Sequence, residues 1–169
     1  MAFLDWSESL SVGVEQIDRQ HKWLVKILNT LHDAMLRGSH KRDLDRVISD
    51  LMSYTRYHFS FEEKLMVIAA YPGLQDHRKE HQALVAELEG YSVQLCDGQT
   101  LVSIKLLGFL KHWLAHHITE VDRQFGDFEV ARHAQQIELA AATEYKTDPA
   151  PETVTGVAAG EFRAGCEAS

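Results

Sequence analysis

Two pairs of side chains that could bind a metal lie four residues apart in the sequence, His58 with Glu62 and His77 with His81. In a helix, residues at this spacing are about 40° apart around the axis, so both members of a pair can reach one centre. Imidazole with carboxylate, and without thiolate, suits iron, manganese or zinc. The two pairs therefore indicate a metal site, provided that the elements carrying them bring them together.

The elements that must position these pairs are four amphipathic helices. The sequence predicts them over about 18–38, 41–69, 74–96 and 100–121. Their predicted boundaries are a cap at Asp18 and stops at Gly38, Pro72-Gly73, Asp97-Gly98 and Gly126. Each helix carries apolar residues in steps of three and four, which form one core-facing stripe. Four such helices with short links predict an all-α fold, an antiparallel up-down four-helix bundle.

Polar side chains interrupt these core-facing stripes at His21, His58, Glu62, His77, His81 and His117. In an up-down bundle, the starts of the first and third helices share one end with the ends of the second and fourth. All six residues belong to that end. Burying several imidazoles with a carboxylate is costly unless something pairs with all of them. We therefore predict a metal centre, whose ligand count exceeds that of one tetrahedral zinc and fits two octahedral ions better.

Spacing alone leaves the choice of a further carboxylate open. Asp122 follows His117 by five residues, about 140° around a regular helix. Asp18 and Glu120 are competitors for the same role. The remaining histidines are predicted to be surface residues: His32, His40, His133 and the pair His112 and His116.

The composition argues against several classes of function. The chain has 17 Lys and Arg against 25 Asp and Glu, for a formal net charge of −8, whereas a protein that binds phosphate backbones needs a basic face. No stretch approaches the roughly 20 apolar residues of a membrane span, and the N-terminal residues lack the basic region of a secretory signal. Cys96 and Cys166 are too far apart for a CxxC motif. These features predict a cytoplasmic protein that binds neither nucleic acid nor membrane.

The region after Gly126 differs in character from the bundle. Residues 129–146 are predicted to form an extra helix of modest apolar content. Residues 147–169 are rich in Ala, Gly, Thr and Pro, and we expect a flexible tail there. The predicted organisation is therefore a bundle domain over residues 1–128, followed by these two segments.

Four short motifs occur along the chain in a specific order. They are Gln20-His21, His58-Phe59-Ser60-Phe61-Glu62, His77-Arg78-Lys79-Glu80-His81 and His117-Ile118-Thr119-Glu120-Val121-Asp122, the last preceded by Trp113-Leu114. In order and spacing they resemble the hemerythrins, specifically the single-domain bacterial hemerythrins. Asp5-Trp6-Ser7 and Gly13-Val14 resemble the extended N-terminal arm of that family. The resemblance covers residues 1 to about 128 and itself implies an up-down bundle.

The resemblance implies a non-haem di-iron centre, oxo- or hydroxo-bridged, with dioxygen as its ligand. The implied assignment has one iron on His77, His81 and His117, the other on His21 and His58, and bridges from Glu62 and Asp122. One octahedral position then stays open on the iron with two histidines, where dioxygen can bind.

The same resemblance implies an oxygen pocket formed by Leu24, Phe59, Trp113, Leu114 and Ile118. All five side chains are apolar and bulky, so they also suit ordinary packing of the bundle core. A dry pocket favours reversible binding, because polar donors and proton access promote further chemistry.

Reversible dioxygen binding, as a carrier, store or buffer, is the predicted function. One alternative is an oxygen or redox sensor that acts through a protein partner, for which the C-terminal extension could be the docking element. The other is a di-iron oxidase, a peroxidase or a metallohydrolase. The sequence contains no Glu-x-x-His, HExxH or P-loop pattern, so we predict no enzyme beyond a slow oxidase or peroxide-releasing side reaction.

Overall fold

The computed structural model of the chain describes residues 2–38, 40–96 and 100–147. A short 3-10 helix at Glu8–Leu10 precedes four helices: α1 (Glu15–Leu36), α2 (Lys41–Ile68), α3 (Leu74–Cys96) and α4 (Thr100–His116). A π-helical segment, His117–Asp122, then leads directly into α5 (Arg123–Thr147). The described residues contain no strand, and the predicted all-α class is confirmed.

The four helices close around one core. α1 packs against α2 and α4, and α3 packs against the same two helices. The stripes predicted from the sequence supply fully buried side chains, among them Ile17, Leu28, Leu31 and Leu106. The predicted up-down four-helix bundle is therefore confirmed. None of the described helices combines the length and apolar character needed to span a bilayer.

The N-terminal arm, residues 2–14, lies along the bundle and is held by side chains of α1, α4 and α5. Asn29 forms two hydrogen bonds with the backbone of Leu4, at 2.9 and 2.8 Å. The Lys111 ammonium donates to the carbonyl of Phe3 at 2.6 Å, and Arg123 donates to the carbonyl of Ser9 at 2.7 Å. The arm therefore contacts both α1 and the first residue of α5.

The sequence predicted that Asp18 caps the first helix, and this prediction was wrong. α1 begins at Glu15, with Val14 as its N-cap residue. The Asp18 carboxylate instead accepts the backbone N–H of Val12 at 2.8 Å and the hydroxyl of Ser11 at 2.6 Å. It therefore anchors the arm, one turn before the first predicted metal ligand.

Gly126 does not end the fourth helical segment, because it lies inside α5. A Cβ atom added there would lie 2.0 Å from the carbonyl oxygen of Val12. The glycine therefore permits a close approach of the arm to the helix. Gly38 does behave as predicted, with a φ of +64° just after α1.

The C-terminal segment begins within α5. Residues 129–146 lie in this helix, which starts before them at Arg123. The compact unit that contains the bundle ends at Ala134, and residues from Gln135 onward belong to a second unit. Beyond Thr147, the predicted tail with Cys166 lies outside the described residues.

Candidate metal centre

Seven predicted ligands meet at one end of the bundle core. Each of them is at most 3% exposed. They come from three helices of the bundle and from the segment that follows the fourth: His21 from α1, His58 and Glu62 from α2, His77 and His81 from α3, and His117 and Asp122 from the π-helical segment after α4. The helix starts and ends that the sequence analysis placed together therefore do lie together.

A first group of ligand atoms comes from Glu62, His77, His81, His117 and Asp122, all within 4.8 Å of one another. Nε2 of His77 lies 3.1 Å from Oε2 of Glu62 and 3.3 Å from Oδ1 of Asp122. Nε2 of His117 lies 3.0 Å from the same Asp122 oxygen. Three imidazoles and two carboxylates thus surround one small volume.

A second group comes from His21, His58, Glu62 and Asp122, again within 4.8 Å. Nε2 of His21 lies 3.2 Å from Oδ2 of Asp122, whereas the first group uses the Oδ1 atom. Nε2 of His58 lies 3.9 Å from Oε2 of Glu62. The two groups share both carboxylates, so each carboxylate can bridge two ions.

The hydrogen bonding of these side chains fits metal binding. Six buried polar atoms of His21, Glu62, His117 and Asp122 have no hydrogen-bond partner among the described residues. Nε2 of His21 and Oδ2 of Asp122 are only 3.2 Å apart, yet their orientation does not make a hydrogen bond. Atoms that are close but not aimed at one another suit ligands that point at a common ion. Such unsatisfied buried groups are costly unless a cation compensates them.

The π-helical segment explains how Asp122 enters the site. In a π-helix, backbone hydrogen bonds run to the fifth residue, so each turn holds one more residue than an α-helical turn. Residues five apart then share a face, and Asp122 comes to the side of His117 that faces the core. Of the two competitors, Asp18 is bound to the arm and Glu120 is exposed.

The charge state of the carboxylates also suits metal binding. Burial opposes ionisation of Glu62, and so does the neighbouring Asp122. Hydrogen bonds from His77 and His81 outweigh both effects and lower the Glu62 pKa to about 2. Burial likewise opposes ionisation of Asp122, but His117 and His21 hold its pKa well below the usual range. Both acids therefore present anionic oxygen to the site near neutral pH.

The histidines differ in how burial and charge affect them. Burial lowers the pKa of His58 to about 4, against the opposing effect of Glu62. Burial also disfavours protonation of His77, but its contact with Glu62 prevails and raises the His77 pKa. His58 is therefore neutral at physiological pH, as a metal ligand must be.

Two residues outside the ligand set orient the imidazoles, and sequence reasoning had assigned them no role. Nδ1 of His58 donates to the side-chain oxygen of Gln20 at 2.9 Å. Nδ1 of His81 donates to Glu63 at 3.0 Å, and Glu63 also accepts from Arg78 at 2.9 Å. With an acceptor next to Nδ1, each bond favours the tautomer that carries its proton there and leaves Nε2 for a metal. These contacts join different helices, so spacing along one helix could not reveal them.

Two aromatic rings hold further imidazoles in place. Phe59 stacks on His81 with ring centroids 3.5 Å apart and planes within 6° of parallel. Trp113 stacks on His117 at 4.2 Å and 16°. Both aromatic residues were predicted as pocket residues, and the structure shows that they also restrict the orientation of the ligands.

A small cavity of about 20 Å³ adjoins the ligand cluster. Four of the predicted pocket residues line it, namely Leu24, Phe59, Trp113 and Leu114. The fifth, Ile118, is fully buried but is not among the lining residues. The ligands His58, His117 and Asp122 also reach the cavity wall. This volume is about enough for one water-sized molecule.

The remaining histidines lie apart from the centre. His40, His112, His116 and His133 are exposed. The rings of His112 and His116 are 6.5 Å apart at their centroids. His32 is half-buried and stacks on Phe3 of the arm. Among the described residues, no third group of metal-ligating side chains occurs.

Comparisons with known proteins agree with this geometry. The family model for the hemerythrin HHE cation-binding domain matches residues 12–128. The bacteriohemerythrin of Pseudomonas aeruginosa strain PAO1 is 37% identical over 134 residues, 79% of this chain and 85% of that protein. The bacteriohemerythrin of Stenotrophomonas maltophilia is 33% identical over 136 residues, 80% and 87% of the two chains. A crystal structure of wild-type hemerythrin matches with a TM-score of 0.67 at 26% identity, over 75% of this chain and 97% of that one.

Proposed function

Since the chain belongs to the hemerythrin family, we propose that it binds dioxygen reversibly at a non-haem centre of two iron ions. Family membership supports an iron-containing, oxygen-binding domain. The observation that carries the finer proposal is the pair of ligand groups that share Glu62 and Asp122 beside a small cavity. A single carboxylate common to two groups would fit many kinds of metal site. Two carboxylates common to both groups fit a pair of adjacent ions.

The proposed roles follow the two groups. His77, His81 and His117 hold one iron, and His21 and His58 hold the other. Glu62 and Asp122 belong to both groups and would be shared between the two ions. When bound, the irons would supply the electrons for reversible uptake of dioxygen. The group with two histidines offers fewer protein ligands than the other, so dioxygen would bind on that side.

The chain itself contributes a dry environment for the ligand. The cavity wall is almost entirely aliphatic and aromatic, with Leu24, Leu28 and Leu114 among its members. Such a wall excludes water and free acids, so bound dioxygen has little access to protons and can leave unchanged. We infer a carrier, store or buffer rather than an enzyme, within the reducing cytoplasm that the separate cysteines favour.

The test combines metal content with oxygen cycling. The purified protein is loaded with iron, reduced without oxygen, and followed by visible absorption through cycles of air and vacuum. Two irons per chain and a band that appears and disappears over several cycles are expected. One zinc per chain without iron uptake would contradict the di-iron centre. Immediate conversion to a stable oxidised form, with peroxide or oxidised substrate accumulating, would favour a redox enzyme or a redox sensor.

Matched histidine pairs provide the control. His77 and His81 form one pair at a spacing of four, and His112 and His116 form another that is exposed. Changing His77 to Ala should remove iron and the reversible band. Changing His112 to Ala should leave both intact, because that residue lies outside both ligand groups. Equal effects of the two changes would show that iron uptake does not depend on the proposed site.

A sensor that acts through a partner is the second candidate. The observation in its favour is that α5 continues past the residues matched by the family model. In this continuation Val130 is 53% and Ile137 is 60% exposed, although both are apolar. A binding partner that is retained only by the oxygenated or only by the reduced protein would support the sensor. Partner retention that is independent of oxygen and of redox state would oppose it.

A further inference from the structure

Apart from the metal ligands, one side chain in the cavity wall is polar. Thr55 lies on α2, three residues before His58, and lines the cavity next to that ligand. It is 4% exposed. It is also the one lining residue with a hydroxyl group, since the remaining wall consists of leucines, two aromatic residues and the metal ligands.

The Thr55 hydroxyl lacks the partner that helical threonines usually find. The hydroxyls of Thr30 and Thr119 donate to the carbonyl four residues earlier, at 2.9 and 3.0 Å. The Thr55 hydroxyl makes no such bond. Its oxygen is also not among the fully buried side-chain atoms that lack a hydrogen-bond partner, so it keeps accessible surface. Because Thr55 is only 4% exposed and lines the cavity, a molecule in the cavity can accept this hydrogen bond.

We propose that the Thr55 hydroxyl donates a hydrogen bond to a small ligand held in this cavity beside His58. The small volume of the cavity, about 20 Å³, favours a compact ligand, such as dioxygen or a small linear anion, over a larger molecule. Thr55 thereby selects ligands that offer a hydrogen-bond acceptor over apolar ligands of equal size. This inference rests on the proposed function, because the ligand must be held by the metal centre.

The size of the effect follows from the charge of the ligand. A hydrogen bond to an anion in a dry site is stronger than one between neutral groups. Its loss should weaken binding of a small anion by about tenfold or more. The apolar wall around Thr55 offers no other hydroxyl to replace it.

The first experiment titrates azide into the oxidised, iron-loaded protein and follows visible absorption. Thr55→Val keeps the shape and removes the donor, whereas Thr55→Ser keeps the donor. Thr30→Val makes the same chemical change at an exposed helical threonine that lies outside the cavity lining. We expect Thr55→Val to weaken azide binding by about tenfold, and the other two variants to stay within about threefold of wild type. Iron content is measured for each variant.

The second experiment needs no metal. In the metal-free protein, Thr55→Val should unfold at the same or a higher denaturant concentration than wild type, because the hydroxyl stabilises no other residue. Clear destabilisation by Thr55→Val would show a structural role and overturn the inference. So would equal azide affinity of wild type and Thr55→Val at equal iron content. Wild-type protein that holds no iron would instead overturn the proposed function, and this inference with it.

Discussion

Gly126→Ala is the substitution for which the structure gives the clearest expectation. The added Cβ would lie 2.0 Å from the carbonyl oxygen of Val12 and 3.0 Å from its carbonyl carbon and its Cβ. Val12 cannot easily withdraw, because Asp18 holds its N–H at 2.8 Å and its side chain is 3% exposed. Either the arm or the start of α5 must move by about 1 Å, a shift that close-packed interiors resist.

Two opposing contributions set the magnitude. Overpacking of this kind costs about 1–3 kcal/mol, and a clash with backbone belongs at the upper end. Alanine is favoured over glycine inside a helix by about 1 kcal/mol. The variant should therefore be about 2 kcal/mol less stable than wild type. For a bundle of this size, the melting temperature should fall by roughly 6–10 °C.

Two other helical glycines provide matched controls for the same chemical change. Gly90 in α3 and Gly108 in α4 are exposed, and a Cβ at either position meets no atom within 4 Å. Gly90→Ala and Gly108→Ala should gain up to about 1 kcal/mol from helix propensity alone. Thermal unfolding followed by circular dichroism compares all three variants at one pH. A Gly126→Ala variant as stable as wild type, or as these controls, would refute the assigned close approach.

Four further predictions concern the metal centre and the C-terminal segment. Asp122→Ala should lose at least one of the two ions, since Asp122 belongs to both ligand groups; elemental analysis that still finds two ions per chain would contradict the bridging role. Glu63→Ala should weaken metal retention in a chelator competition by about tenfold, because Nδ1 of His81 loses its acceptor; unchanged retention would argue against the orienting role. In the metal-free protein, the His58 pKa is about 4 when folded and about 6.5 when unfolded, so the unfolded chain binds the extra proton between these values. The free energy of unfolding therefore has its full contribution from His58 above pH 6.5 and loses about 3 kcal/mol as the pH drops to 4. Denaturant titrations should show that the free energy of unfolding of His58→Leu depends less steeply on pH in this window than that of wild type, by up to one proton. Deleting residues 147–169 should leave oxygen binding intact, because the family match ends at residue 128; loss of the reversible absorption band would make the segment part of the site.

The sequence by itself determined the bundle and the composition of its polar layer. Periodicity within each helix identifies the core face, and His58, Glu62, His77 and His81 lie on that face. Up-down topology then requires these positions to meet at one end. Both steps depend only on local helix geometry and on short connections, so they can be deduced without coordinates.

Spacing along a regular helix did not identify Asp122 as a ligand, although the family resemblance did, and it did not predict the role of Gly126. Asp122 is off the face of His117 in a regular helix, and only the π-helical segment brings it into the core. Gly126 was predicted to lie beyond the end of a helix, whereas the packing of the arm uses it as a contact point. In both cases a local deviation in backbone or packing changes which residues face each other.

The contacts that orient and surround the ligands also depended on the tertiary structure. The pairing of Gln20 with His58 and of Glu63 with His81 joins neighbouring helices. The unpaired hydroxyl of Thr55 is recognisable only once the cavity is known. Helical periodicity specifies which face of a helix is buried, but not which atom of the next helix lies opposite. That choice follows from the rotation and register of packed helices, which many side chains set together.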